Sequence, residues 1–221
     1  MNPTGIVVPF VLGAGALVGL VVFAAQRSAA KRRAALEAVA LQSGWSFAAG
    51  NVEPGALGVG PLPLMSKGRA QRARNVIKLS SATPAVALFD YQYTVGAGQH
   101  QRTVAQTVTH VRSPRLALPP FSLTGENLLH KVGSALGYHD IDFDSSPEFS
   151  RKYLLRSKQA EDRVRDLFTP SLRAYFEQRA PVTVEGHEQD LLIYRSGRRV
   201  KPEDLQAFVE DAQAIARELE R

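Results

Sequence analysis

From Ile6 to Ala25 the chain has twenty residues without a charge or a strongly polar side chain. At about 1.5 Å per residue, a helix of that length crosses the roughly 30 Å hydrocarbon core of a bilayer and satisfies its own backbone there. The pattern predicts a transmembrane helix, with Pro9 tolerated in its first turns and Gly13, Gly15 and Gly19 as common in membrane spans. A cleavable signal fits less well: Met1 to Gly5 holds no basic residue, and the apolar run exceeds a signal core. The basic cluster Arg27, Lys31, Arg32 and Arg33 lies on the far side of the run. The positive-inside rule then predicts a single-pass inner-membrane protein with its N-terminus outside and everything after the span cytoplasmic.

Beyond the span the hydrophobic period alternates between helix and strand. Ala29 to Ser43 continues as a helix with Leu36, Val39 and Ala40 on one face, and Gly44 ends it. Trp45 and Phe47 open a short strand, and the Gly- and Pro-rich segment from Asn51 to Pro63 reads as a loop. Strands are predicted at Ala73 to Ser80, Ala85 to Val95 and Gln101 to Val111, the last two forming a hairpin through Gly96, Ala97 and Gly98. A short strand at Arg115 to Leu118 is expected to stop at Pro119 and Pro120. Thr124 reads as the cap of a helix ending at Gly137, and Phe149 to Arg156 as a strand. Glu161 to Phe168 is helical, Thr169 and Pro170 restart a helix, and a second hairpin turns between Gly186 and Asp190. After Pro202 the apolar positions Leu205, Phe208, Val209, Ala212, Ile215, Ala216 and Leu219 mark a last amphipathic helix.

This order predicts an anchor over residues 1–26, a juxtamembrane basic helix over 27–44 and one cytoplasmic domain over 45–221. Strands clustered in hairpins with helices between and after them indicate α+β: a mainly antiparallel sheet with packed helices.

The net charge of +6 first suggests nucleic acid. Four of the 27 Lys and Arg lie before the first acid, Glu37, and the rest nearly balance the 21 Asp and Glu. The excess belongs to the membrane flank, so the bilayer is the expected partner and nucleic acid is not. With no cysteine, thiol nucleophiles, disulfides and thiolate metal sites are excluded.

Three patterns carry candidate chemistry. In an extended Tyr138 to Asp144 segment, Asp140, Asp142 and Asp144 share one face and could take a hard divalent cation through oxygen. The EF-hand spacing fails there, with Ser145 in place of Gly and Arg151 in place of Glu. Arg69, Arg72, Arg74 and Lys78 form a basic strip able to face anionic headgroups. Gly15 and Gly19 have the spacing that lets two spans pack closely, giving a homodimer. His100, His110, His130, His139 and His187 lack ligand spacing, and HEQDL at His187 has Leu191 where a zincin needs its second His. No GxSxG, P-loop or dinucleotide fingerprint is present, and no cofactor is indicated.

FDYQYT (Phe89 to Thr94), QTV (Gln106 to Val108), LPPF (Leu118 to Phe121), DIDF (Asp140 to Phe143), FSRKYLL (Phe149 to Leu155) and VRDLFTP (Val164 to Pro170) together resemble a group of bacterial single-span membrane proteins of unknown function. The resemblance implies the anchored layout and a bacterial source, and it carries over no activity or catalytic residue. The sequence is read as a membrane-anchored, non-catalytic binding or scaffolding domain with a protein partner. A divalent-metal hydrolase using Asp140, Asp142 and Asp144, and an assembly component pairing through Gly15 and Gly19, stand as alternatives.

Overall fold

The computed structural model describes residues 4–79, 84–125 and 139–220, with side chains from residue 19 onward. The helices are α1 (Thr4–Gln42), α2 (Pro147–Lys152), α3 (Glu161–Leu167), α4 (Pro170–Glu177) and α5 (Leu205–Leu219). The strands are β1 (Ser46–Ala48), β2 (Arg69–Lys78), β3 (Ala85–Val95), β4 (Arg102–Arg112), β5 (Leu118–Gly125), β6 (His139–Asp140), β7 (Tyr153–Ser157), β8 (Thr183–Glu188) and β9 (Asp190–Tyr194). They form one sheet of order β1-β2-β3-β4-β9-β8-β5-β7-β6. Every pairing in it is antiparallel. The fold is therefore α+β with an antiparallel sheet, as the sequence pattern predicts.

The sheet is buried on both faces at its centre. Side chains alternate across a strand, and β3 places Phe89, Tyr91 and Tyr93 on one face and Val86, Leu88 and Asp90 on the other, all of them buried. The first face packs with Leu62, Leu64, Val108, Leu192 and Tyr194. It is covered by the Gly- and Pro-rich segment, whose 3₁₀ turns Pro54–Leu57 and Pro63–Ser66 carry Leu64 inward. The second face carries the helices, with Leu36 and Ala40 of α1, Phe149 of α2, Val164 of α3 and Phe176 of α4 in one core. All seven apolar positions predicted for the last helix are buried in α5. Each such side chain of Val, Leu, Ile or Phe size contributes about 1.5–3 kcal/mol.

Local chemistry fixes the joints. Gly44 ends α1 at φ +70°, where a Cβ would be strained. Thr169 Oγ1 accepts from the Leu172 backbone N at 3.3 Å, with Pro170 at the first helical position, as predicted.

Four expectations are corrected. The strand expected to end before Pro119 and Pro120 instead runs through them to Gly125. Its pairing with β8 is irregular between Leu118 and Phe121, so the prolines sit where the ladder needs no donor. Thr124 is not a helix cap: it pairs with Leu154, and the remainder of the expected helix lies outside the described residues. Phe149 to Arg156 is not all strand. Pro147 at a first helical position starts α2, in which Phe149 stacks on Tyr153 four residues on, and the strand begins only at Tyr153. The second hairpin is also tighter than expected, with His187 opposite Asp190.

The predicted span, Ile6 to Ala25, falls within α1, but its side chains up to residue 18, Gly15 among them, lie outside those described. Among the described residues no helix is long and apolar enough to cross a membrane.

In β8, Gly186 lies directly across from Phe121 of β5. A Cβ there would lie 2.3 Å from Phe121 Cε1, and that ring packs edge-on against Phe168 and is 2% exposed. Gly186→Ala is therefore expected to destabilise the protein by about 1–3 kcal/mol through overpacking, read as a lower urea midpoint with an unchanged slope.

Candidate functional site

Ala29, Arg32, Arg33, Leu36 and Ala40 recur at three- and four-residue steps, so they share one face of α1. Leu36 and Ala40 enter the core, and Arg32 turns inward with them. Its guanidinium grips Asp90 of β3 with both arms, Nε to Oδ2 at 2.8 Å and Nη2 to Oδ1 at 2.7 Å. Nη2 also donates to Thr107 Oγ1 at 3.0 Å, and Nη1 to the Val200 carbonyl at 2.8 Å. Asn75 Nδ2 and Thr107 Oγ1 donate to the same carboxylate at 3.0 and 2.9 Å. The pair is largely out of water, with side chains 15% and 7% exposed. Burial alone would raise the Asp90 pKa, but the hydrogen bonds and charge of Arg32, helped by Asn75 and Thr107, hold it below the usual carboxylate value. Of the four residues expected to flank the membrane, Arg27 and Lys31 stay exposed, Arg32 is a bolt between α1 and the sheet, and Arg33 faces an adjacent cleft.

That cleft, about 420 Å³, opens between α1, the segment after β1, strands β2 and β3, and the turn before Val200. Arg32 and Asp90 cancel in its wall, and the other charged side chains lining it are Arg33, Arg74 and Arg199. None of the three makes an ion pair among the described residues. Arg74 Nε donates to Asn51 Oδ1 at 2.7 Å, which orients its guanidinium. Gln92 adds a neutral amide to the wall. Three like charges around a recess bounded by protein attract an anion more strongly than the same charges spread in water.

The basic strip is divided by two bulges. Between Arg69 and Arg72 the strand gains one residue against β3, with Ala70 at φ +51°, which brings Arg69 into phase with Arg72 and Arg74. A second extra residue, with Asn75 at φ +52°, lies between Arg74 and Ile77. Lys78 thus pairs with Ala87, on the opposite face from Arg74 and its partner Asp90. Arg69 is committed to the Gly96 carbonyl and Gln101 Oε1.

Asp140, Asp142 and Asp144 are exposed while Ile141 and Phe143 are buried, so the alternation is as expected. Asp140 Oδ1 accepts from Arg156 Nε at 2.7 Å, and the Asp142 carbonyl accepts from Arg165. Phe143 lies under the cations of Arg165 and Arg173, at 5.3 and 4.2 Å. Among the described residues no group of three His, Cys, Asp or Glu is placed to hold a metal.

Two buried polar contacts carry no local sequence signal: one ties β4 to β9, and the other fastens the loop that covers the first face. His110 Nε2 lies 2.7 Å from Asp190 Oδ1, and burial lowers the His110 pKa more than Asp190 raises it. Glu185 accepts from the Leu64 backbone N at 2.8 Å and from the Tyr194 hydroxyl at 2.7 Å, with burial raising its pKa. Of the other histidines, His100 and His139 are exposed, His187 lies on β8, and His130 is outside the described residues.

No family model matches the chain. No curated protein matches it either. Among solved structures the chain is similar to the mycobacterial trehalose monomycolate transport factor A, TtfA, at 13% identity and a TM-score of 0.58, over 88% of this chain and 93% of that one. At that identity the likeness concerns the fold.

Removing the Asp90 carboxylate leaves Arg32 buried and unpaired, so Asp90→Ala should cost about 3–5 kcal/mol in chemical denaturation. The folded Asp90 pKa lies below its unfolded value of about 4. Its contribution is therefore complete above that value and is lost as pH falls through the folded pKa. Below about pH 4 the wild type should lose stability more steeply than Asp90→Asn.

Proposed function

We propose that this protein is a non-catalytic binding or scaffolding protein, held in a membrane by α1, with its α+β unit on the cytoplasmic side. The observation that carries the reading is the surface of α1 just before the bolt. Leu20, Val21, Val22 and Phe23 are consecutive, and all are exposed, at 65, 61, 48 and 60%. Successive helical residues are about 100° apart, so these four surround the helix, and no single docked face could bury them. Hydrocarbon covers such a helix on every side.

Three further features support the reading. The apolar run extends upstream to Ile6, and the basic residues follow it directly, which favours the cytoplasmic side for the folded part. The motifs from Phe89 to Pro170 resemble bacterial single-span membrane proteins. The structural neighbour is by name a trehalose monomycolate transport factor, and we take this chain to be a binding component of a transport process as well. A second reading, assembly through paired spans, draws on Gly19, where nothing lies within 4 Å of a would-be Cβ and a partner helix would have room to approach.

Expressed in a bacterium, the full chain should remain in the membrane pellet after alkaline carbonate washing. A C-terminal reporter active only in the cytoplasm should score positive. Release by carbonate would overturn the anchoring, and activity of a reporter that works only outside the inner membrane would overturn the orientation.

A further inference from the structure

We propose that the cleft at the root of α1 binds a phosphate mono- or diester, gripped by Arg33, Arg74 and Arg199. The inference deepens the membrane reading and rests on it for the source of the ligand, though not for the site itself.

The chemistry of the wall selects the ligand. Three arginines line one recess, and none has a carboxylate partner among the described residues. The Asp90 carboxylate in the same wall is already saturated by Arg32, Asn75 and Thr107, so it does not neutralise them. Guanidinium forks match the paired oxygens of a tetrahedral phosphate, and such charge-assisted bonds are about twice as strong as neutral ones. The site is also held in advance of binding. Arg74 is oriented by Asn51, and the bolt beneath fixes α1, and with it Arg33, against β3. Ala29, Ala49 and Gly50 keep the mouth clear, and about 420 Å³ admits a phosphate with a glycerol-sized group but not a whole lipid.

Position suggests where such a group would come from. Ala29, in the cleft wall, lies four residues past Ala25, about 6 Å along the helix. With the apolar run in hydrocarbon, the cleft sits at headgroup depth. A phospholipid could lay its chains along Leu20 to Phe23 and its phosphate among the arginines. A soluble phosphate ester offers the same chemistry from the other side.

The test uses the detergent-purified full chain and native mass spectrometry with phosphatidylglycerol, phosphatidylcholine and glycerol 1-phosphate. The wild type should hold one phosphatidylglycerol in preference to phosphatidylcholine. Arg74→Gln combined with Arg199→Gln should weaken that binding at least tenfold with an unchanged melting temperature. Arg33→Gln with Arg199→Gln, both at exposed positions outside the bolt, is the second pair should the first fail to fold. Displacement of the lipid by glycerol 1-phosphate at comparable concentration would support the site and assign its ligand to solution. Binding of neither phosphate, or equal binding by wild type and a folded variant, would overturn the proposal. Carbonate extraction of the same preparations separates the two readings: a membrane-held chain with no phosphate bound defeats only the cleft, and a released chain that binds glycerol 1-phosphate defeats only the anchor.

Discussion

A buried arginine needs an anion, and in this protein that need decides where the first helix goes. Arg32 is largely out of water on a helix that is apolar as far as Ala25, and Asp90 is out of water near the middle of the sheet's largest hairpin. Two such charges in poor contact would each carry a desolvation cost of several kcal/mol. The bidentate geometry, with Asn75 and Thr107 on the remaining lone pairs, offsets it. A hydrophobic contact tolerates sliding, but a two-armed ion pair has one register. The pair therefore sets the rotation and height of α1 on the sheet, and Leu36 and Ala40 follow it into the core one and two turns later.

Much of what surrounds this joint follows from satisfying polar groups that the fold has buried. The loop over the first face has little regular structure to hold it, so it is fastened by Glu185 to the Leu64 N–H and by a bridge between Val52 and Ala73. The Arg112 guanidinium, beside the His110–Asp190 contact, donates to the Gly58 carbonyl. Both contacts serve packing, and the acidic segment at 140–144 is likewise held by Arg165 of α3 at the Asp142 carbonyl and by Arg173 of α4 over the Phe143 ring. The cleft differs in that its arginines are brought together without counter-charges. Conformational order there is supplied by neighbours and leaves Arg33 and Arg199 available.

The fold was legible where periodicity is long and uninterrupted. The hairpin of β3 and β4 and every buried position of α5 could be read from spacing alone. Reading failed where one residue shifts the phase. The bulges at Ala70 and Asn75 rearrange the basic strip, and Pro119 and Pro120 sit inside a strand because an irregular register removes the need for their N–H groups. The bolt itself left a trace. Asp90 is the one charged residue in AVALFDYQYTV, and it shares its face with Val86 and Leu88. A lone carboxylate on an apolar face calls for a cation, but nothing local says that the cation lies 58 residues earlier, among four that look alike. The cleft could not be read at all, because Arg33, Arg74 and Arg199 meet only through tertiary structure.

With Arg32 bolted to Asp90, α1 and the sheet move as one body and the cleft keeps a fixed height on the helix. The absence of cysteine allows single labels at introduced positions, and Gln26 on α1 and Gln99 beyond β3 are both exposed. The decisive measurement is the spin-label distance distribution between those two sites in the full chain reconstituted in lipid nanodiscs. The account predicts one narrow distribution that broadens in Arg32→Ala. A broad distribution in the wild type, or a width indifferent to Arg32, would contradict it.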